Sequence, residues 1–291
     1  MTSHDVVQWV RRAMGQKRVG HCGTLDPMAT GVLVVALGEA TKLVQLLSAD
    51  EKEYEATVAL GTATDTGDAD GAVVGRMQVG SLDEAEVRAL FAAMIGARRQ
   101  RPPAVSAIKV GGVALHERVR RGEVVEAPER DVVVHALELV SLDDEAKALR
   151  LRVVASKGFY VRSLAAEIAA ALGTVGHLTA LRRLRAGRFD LAHAVDADVV
   201  RRAAAGGAAE KAEIARRLLP WSRVREVVPC VEVGAEDAAR LRVGKHVEGV
   251  EWPAAGDAVL CALSAGSGLP VALVRLEGGA IVVVRGFVSP P

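Results

Sequence analysis

The chain has 291 residues, half of them hydrophobic and a quarter charged, with a formal net charge of +1. This balance is ordinary for a folded globular protein and excludes an overall basic surface, so a nucleic-acid partner would have to be served by local patches. The three cysteines (Cys22, Cys230, Cys261) match no zinc or redox spacing, no apolar run reaches transmembrane length, and "MTSHDVVQWVRR" carries no apolar signal core. We therefore expect a soluble, reduced, cytoplasmic protein with no membrane partner.

Taken in chain order, "SHDVVQWVRRAMG" predicts a helix capped by Ser3, with Val6, Val10 and Met14 on one face and Gly15 at its end. "GHCGTLDPMATG" (Gly20 to Gly31) is a loop, because its glycines loosen the backbone and Pro27 moves Asp26 out of the helical region. The apolar run Val32 to Leu37 behind it predicts a buried strand. A carboxylate at the mouth of such a strand is either a turn residue or a catalytic group. "GEATKLVQLL" has helical spacing, Glu53 to Gly61 alternates as a strand, and Thr64 to Gly71 is an acidic turn cluster. Ser81 and Glu84 form a capping box for a helix that closes at Gly96. "RDVVVHALELV" and "ALRLRVVAS" predict strands, and "VRSLAAEIAAALG" a helix with Leu164, Ile168 and Leu172 on one face. Adjacent strand runs imply antiparallel pairing in a mixed α/β domain. The Ala/Gly/Arg-rich "RRAAAGGAAEKAEIARRLLPW" reads as a solvated helix and connector. The stretch beyond Val227 reads as a small β-rich domain of short strands and turns.

Several chemistries find no support in these residues. Asp65, Asp68 and Asp70 lack the alternating oxygen ligands and terminal glutamate of a calcium loop, and the seven histidines form no zinc grouping. The glycine-rich loop is neither of the nucleotide-phosphate fingerprints. Arginine runs are more suggestive. Ala97 to Arg101, Glu117 to Gly122 and Leu181 to Arg188 each concentrate planar guanidinium donors suited to a phosphate backbone. Any one of them could be a solvated face; three in a near-neutral chain make a sided RNA-binding surface plausible. Aromatic residues are only 3% of the chain, with two tyrosines, Tyr54 and Tyr160.

Five segments occur together: "GHCGTLDPMATGVLVVALGEATK", "KEYEATVALGTATDTGDADG", "RPPAVSAIKVGG", "SKGFYVRSLAAEIAAALG" and "HLTALRRLRAG". In content and order, over most of residues 1 to 190, they resemble the motifs of the TruB-type tRNA pseudouridine synthases. One such motif is weak evidence; five in sequence are specific. The tail more faintly resembles a PUA-type RNA-binding module. The resemblance implies a mixed α/β catalytic domain on a mainly antiparallel sheet over residues 1–222, followed by a PUA-like domain over 227–291. It implies isomerisation of uridine 55 in the tRNA T loop without a cofactor or metal, by a monomer whose partner is the T stem-loop. Residue by residue, it implies that Asp26 is catalytic, Tyr54 stacks on the flipped base and Arg162 positions the carboxylate. Tyr160 is a second motif tyrosine, His21 helps splay the T loop, Leu181 lines the uracil pocket, and Lys42 and Lys109 contact substrate. Both tyrosines fall at motif positions.

The chemistry suits these residue types. Breaking the N1–C1′ bond and joining C5 to C1′ transfers no net electrons, so no redox cofactor is required. A carboxylate can serve as nucleophile, as base, or as partner to cationic sugar character. The target base must also be extruded, and an aromatic platform offsets part of that cost. The chain departs from the family pattern at its start, which lacks the usual apolar strand and Lys-Pro-x-Gly turn. We expect an exposed sheet edge or apolar patch near Val6 and Val7 in consequence. Cys22 and His116 also replace the residues usual at their positions.

Overall fold

The computed structural model describes residues 1–106, 109–115, 118, 121, 123, 127–253 and 258–288. His116 and most of the Glu117-to-Gly122 run lie outside them. The chain divides into two compact units, one of Met1, Leu25–Val32 and Asp50–Ala186, the other of Thr2–Thr24, Leu33–Ala49 and Gly187–Pro291.

The first unit is built on a sheet whose strands run in the order Gly176–Ala186, Lys52–Leu60, Ala148–Ala155, Arg130–Asp143, Gly96–Gln100. All neighbours in that series are antiparallel. The period-two side-chain alternation of a strand explains its two faces. In Ala148–Ala155, Leu149, Leu151, Val153 and Ala155 are buried, while the intervening Arg150 and Arg152 pair with Glu55 and Glu53. The apolar face is covered by the Val161–Ala171 helix through Leu164, Ala165 and Ile168, and by the Glu84–Ala93 helix through Val87 and Phe91. Asp83 caps the latter helix, accepting from the amides of Ala85 and Glu86, so the cap lies two residues beyond Ser81. Gly96 does not end the helix but opens a strand, Gly96–Gln100.

The apolar run from Val32 to Leu37 is not one strand. Thr30–Gly31 pairs in parallel with the Gly176–Ala186 strand, and Val35–Leu37 pairs antiparallel with Val19–His21. Val32 to Val34 between them belong to no strand, and Gly31 just before them has a φ of +97°, with a Cβ there falling 2.1 Å from the Arg183 carbonyl oxygen. Only glycine permits that approach.

In the second unit, Thr2 rather than Ser3 caps the Ser3–Met14 helix, exchanging bonds with Asp5 in a capping box. Val7, Val10 and Ala13 of this helix pack with Val200, Ala203 and Ile214. Val7 is buried and Val6 half-buried against the same cluster, so the expected apolar patch does not form there. The Ala/Gly/Arg-rich stretch makes two helices, Ala197–Ala204 and Ala208–Arg217, interrupted at Gly206–Gly207.

The tail forms a sheet in the order Cys230–Val233, Leu260–Ser264, Pro270–Glu277, Ala280–Gly286, Val247–Glu248. Its first pair is parallel and the others antiparallel. It carries a helix, Ala235–Arg242, that the strand-and-turn reading missed, with Ala238 and Leu241 buried in the tail's core. No helix among the described residues is long and apolar enough to cross a membrane.

Candidate active site

Asp26 lies in the loop between Leu25 and Val32, where its carbonyl accepts from the Ala29 amide at 2.9 Å in a tight turn. It therefore does make a turn, but through its backbone, which leaves the carboxylate free for another partner. That partner is Arg162, the second residue of the Val161–Ala171 helix. Its Nε donates to Oδ2 of Asp26 at 3.0 Å and its Nη2 to Oδ1 at 2.9 Å, a two-pronged charge-assisted pair. Nη1 of the same guanidinium donates to the Thr66 carbonyl at 2.7 Å. The Arg162 side chain is only 5% exposed, whereas that of Asp26 is 28% exposed. A buried cation thus orients a carboxylate that an incoming molecule can still reach.

A second carboxylate flanks the guanidinium. Asp68 is buried, with Oδ2 3.7 Å from Arg162 Nε, and it accepts from the Thr66 hydroxyl at 2.6 Å and the Asp70 amide at 3.1 Å. The acidic turn is thus not solvated at Asp68. Two carboxylates and a carbonyl compensate the buried guanidinium, as burial of a charge requires.

Tyr54 projects from the Lys52–Leu60 strand, in register with Arg183 of the neighbouring strand. Burial raises the pKa of its hydroxyl; the Arg183 charge and hydrogen bond oppose the rise, and the Asp26 charge adds to it. Burial likewise raises that of Tyr160, opposed by Arg130 and Arg162 and reinforced by Asp26. Both phenols therefore stay neutral and lie within the electrostatic reach of Asp26. The structure brings Asp26, Tyr54, Tyr160 and Arg162 into one neighbourhood. Leu181 is buried in the core against which Tyr54 packs.

The other sequence-derived candidates are placed as follows. His21 is half-buried on the Val19–His21 strand opposite Val35. The Lys42 amine is engaged within its own unit, donating to the Gly286 carbonyl at 2.7 Å and to Glu39, and lying 5.6 Å from the centre of the Phe287 ring. Lys109 lies in the two-residue strand Lys109–Val110.

Three supporting residues escaped the sequence reading. Asp68 looked like one of several turn acids. Arg183, in the basic run from Leu181 to Arg188, is buried and donates through Nε to the Val32 carbonyl at 2.7 Å, pinning the end of the Asp26 loop. Gln100, within the basic run from Ala97, is buried and clamps the Tyr160 backbone. Its Oε1 accepts from the Tyr160 amide at 2.8 Å, and its Nε2 donates to the Tyr160 carbonyl at 3.2 Å. The arginines beside Gln100 are largely ion-paired, Arg98 with Glu167 and Arg99 and Arg101 with Glu129. Strand alternation, which sends Gln100 and Arg183 inward, is the signal that could have found both.

Known proteins are similar to this chain in sequence and in fold. Residues 11–161 match the model of the TruB family pseudouridylate synthase N-terminal domain, and residues 162–224 that of the tRNA pseudouridylate synthase B C-terminal domain. The chain is 43% identical over 281 residues to the tRNA pseudouridine synthase B of Nocardia farcinica, covering 96% of this chain and 87% of that protein. It is 48% identical over 203 residues to that of Thermobifida fusca, covering 68% and 69%. Among solved structures it resembles a chain of a Cbf5-Nop10-Gar1 complex, with a TM-score of 0.75 and 25% identity over 99% of this chain and 82% of that one. A chain of an H/ACA RNP bound to a substrate RNA containing 2′-deoxyuridine gives a TM-score of 0.71 at 23% identity, covering 99% and 82%, a likeness of fold. With a family match over more than half its length and relatives this similar end to end, the chain belongs to the TruB family of pseudouridylate synthases.

Proposed function

We propose that this protein is a tRNA pseudouridine synthase that isomerises uridine 55 in the T loop, with Asp26 as the reacting carboxylate. The observation that carries the reading is the reachable Asp26 carboxylate held at both oxygens by the buried Arg162, beside two neutral tyrosines. In the reaction the N1–C1′ bond breaks, C5 joins C1′, the C5 proton leaves and N1 gains a proton. Reactant and product have the same composition, so the chemistry needs no cofactor. Arg162 keeps the carboxylate in one orientation, so little reorganisation precedes reaction. Tyr54 gives the extruded uracil a stacking face and Leu181 an apolar wall. Tyr160 adds a second ring beside Asp26, while His21 and Lys109 contact the RNA. Lys42 has no part in this reading, because its amine is taken up within its own unit.

In the same reading the catalytic part spans residues 1–222. The β-rich stretch 227–291 is a PUA-like module that binds the tRNA beyond the T stem-loop. The protein works as a cytoplasmic monomer.

The test is release of tritium from a tRNA transcript labelled at uridine C5, followed by mapping of pseudouridine along the product. Stoichiometric release with modification confined to position 55 is expected. No release, or modification at another position, would overturn the assignment.

A further inference from the structure

Cys230 and Cys261 stand directly opposite one another on adjacent parallel strands of the tail sheet. Paired residues of neighbouring strands project to the same face, so both sulfurs lie on one side of the sheet. Both side chains belong to the cluster formed by Val224, Val228, Leu263 and Leu273. In-register neighbours on adjacent strands have Cα atoms at a spacing a disulfide accepts, roughly 4.4–6.8 Å. Their surroundings differ. Cys230 is half-buried on a strand that, among the described residues, pairs on one side only, whereas Cys261 is buried in the interior of the sheet.

We infer that this pair is an oxidation site, in which a small peroxide attacks Cys230 first and Cys261 then resolves the product into an intramolecular disulfide. The Cys230 thiolate would take one oxygen from hydrogen peroxide, giving a sulfenic acid and hydroxide. The Cys261 sulfur then displaces a second hydroxide from the Cys230 sulfur and forms the S–S bond. Together the two thiols lose two electrons and two protons, and the peroxide becomes two waters.

Chemistry as well as access favours this order. The hydrogen bond from Cys261 lowers the Cys230 pKa, helped by the Arg225 charge and opposed by burial and by the charge of Glu232, the ion-pair partner of Arg225. The same contact raises that of Cys261, as does burial, so the two do not ionise together. Conversion of Cys230 to the uncharged sulfenic acid removes that repulsion, and Cys261 can then act. Neither cysteine is among the residues around Asp26, so the site is separate from the isomerisation machinery. Cysteine pairs that oxidise inside a reducing cell are characteristically transient.

The test treats the full chain with a slight excess of hydrogen peroxide, alkylates it and digests it with trypsin without reduction. The expected product is peptide 226–240 joined to peptide 246–275. It should exceed any disulfide containing Cys22 by about tenfold or more, since thiolate character and exposure set susceptibility. In Cys261→Ser, the sulfenic acid should accumulate at Cys230 and be trapped by dimedone; in Cys230→Ser, Cys261 should remain alkylatable. Three results would overturn the proposal: both thiols recovered free while Cys22 is oxidised, linkage between chains, or dimedone labelling of Cys261 in Cys230→Ser. The wild-type digest decides the linkage even if a serine variant folds poorly.

Discussion

Arg162 meets Asp26 with two parallel hydrogen bonds across 136 residues of sequence, at 3.0 and 2.9 Å. The loop that carries the aspartate and the helix that carries the arginine have no local reason to be adjacent. What joins them is a sheet that brings Thr30–Gly31 alongside Gly176–Ala186 and packs the Val161–Ala171 helix on its apolar face.

Replacing Asp26 with asparagine keeps its size and turn propensity but removes the charge. Single-turnover conversion of a T stem-loop by Asp26→Asn should fall by at least about 10³-fold, the scale seen when a central reacting group is removed. Filter binding of the unmodified tRNA should change far less, because contacts to phosphates supply most of the affinity. An aspartate needed only for its turn predicts the reverse, near-normal conversion.

Arg162→Lys retains a positive charge and loses the planar fork. An ammonium cannot hold both Asp26 oxygens and the Thr66 carbonyl in one plane. We expect kcat to drop roughly 10²-fold with KM nearly unchanged, as for a misplaced reacting group. A fall in KM-linked binding alone would show that the guanidinium serves the RNA and not Asp26.

The two tyrosines permit a spectroscopic check. Each phenol has its pKa raised by burial above the ordinary 10.0. Native protein should therefore show no tyrosinate absorbance at the pH where both residues titrate normally in denaturant. The sign for stability follows. The folded state favours the neutral phenols, so their contribution is fully present below pH 10.0 and is lost as pH rises through the folded values. Tyr54→Phe should flatten this alkaline loss. A native titration phase at the ordinary value would place at least one phenol in water.

Gly31→Ala forces a Cβ against the Arg183 backbone as well as into a strained φ. Chemical denaturation should show a loss of about 2–4 kcal/mol. Gly15→Ala is the matched control, because its φ is also positive (+59°) but nothing lies within 4 Å of the new methyl. It should cost only the left-handed strain, about 1–2 kcal/mol. Equal losses would mean that the close approach at Gly31 relaxes away.

The residues that the structure gathers around Asp26 could be read from residue types in motif order, because Asp26, Tyr54, Tyr160 and Arg162 each sit in a short distinctive segment. Their supports could not. Gln100 and Arg183 lie in runs of arginine that look solvated until the sheet register reveals which residues face inward. Asp68 becomes distinctive only once Arg162 arrives from a distant helix. The fold shows the same division. Periodicity located the main strands and the Val161–Ala171 helix, while helix caps fell one or two residues away from those expected. The Val32-to-Leu37 run misled because hydrophobicity cannot report that only Val35–Leu37 of it enters a strand. The helix Ala235–Arg242 was missed because only Ala238 and Leu241 of its face are buried.

The discontinuous make-up of the second unit bears on synthesis. The Ser3–Met14 helix leaves the ribosome early, yet its apolar face is covered by Val200, Ala203 and Ile214. At ordinary translation speeds those partners emerge roughly 10–40 s later. Glu39 and Lys42 wait longer still, for Val288 and Gly286, the latter 244 residues downstream of Lys42. Within that interval the sheet strands from Lys52 to Ala186 emerge, and with them the Val161–Ala171 helix that carries Arg162. Until Val200, Ala203 and Ile214 emerge, Val7 and Val10 of the amphipathic Ser3–Met14 helix stay uncovered, which makes them natural contacts for a chaperone before the chain is released.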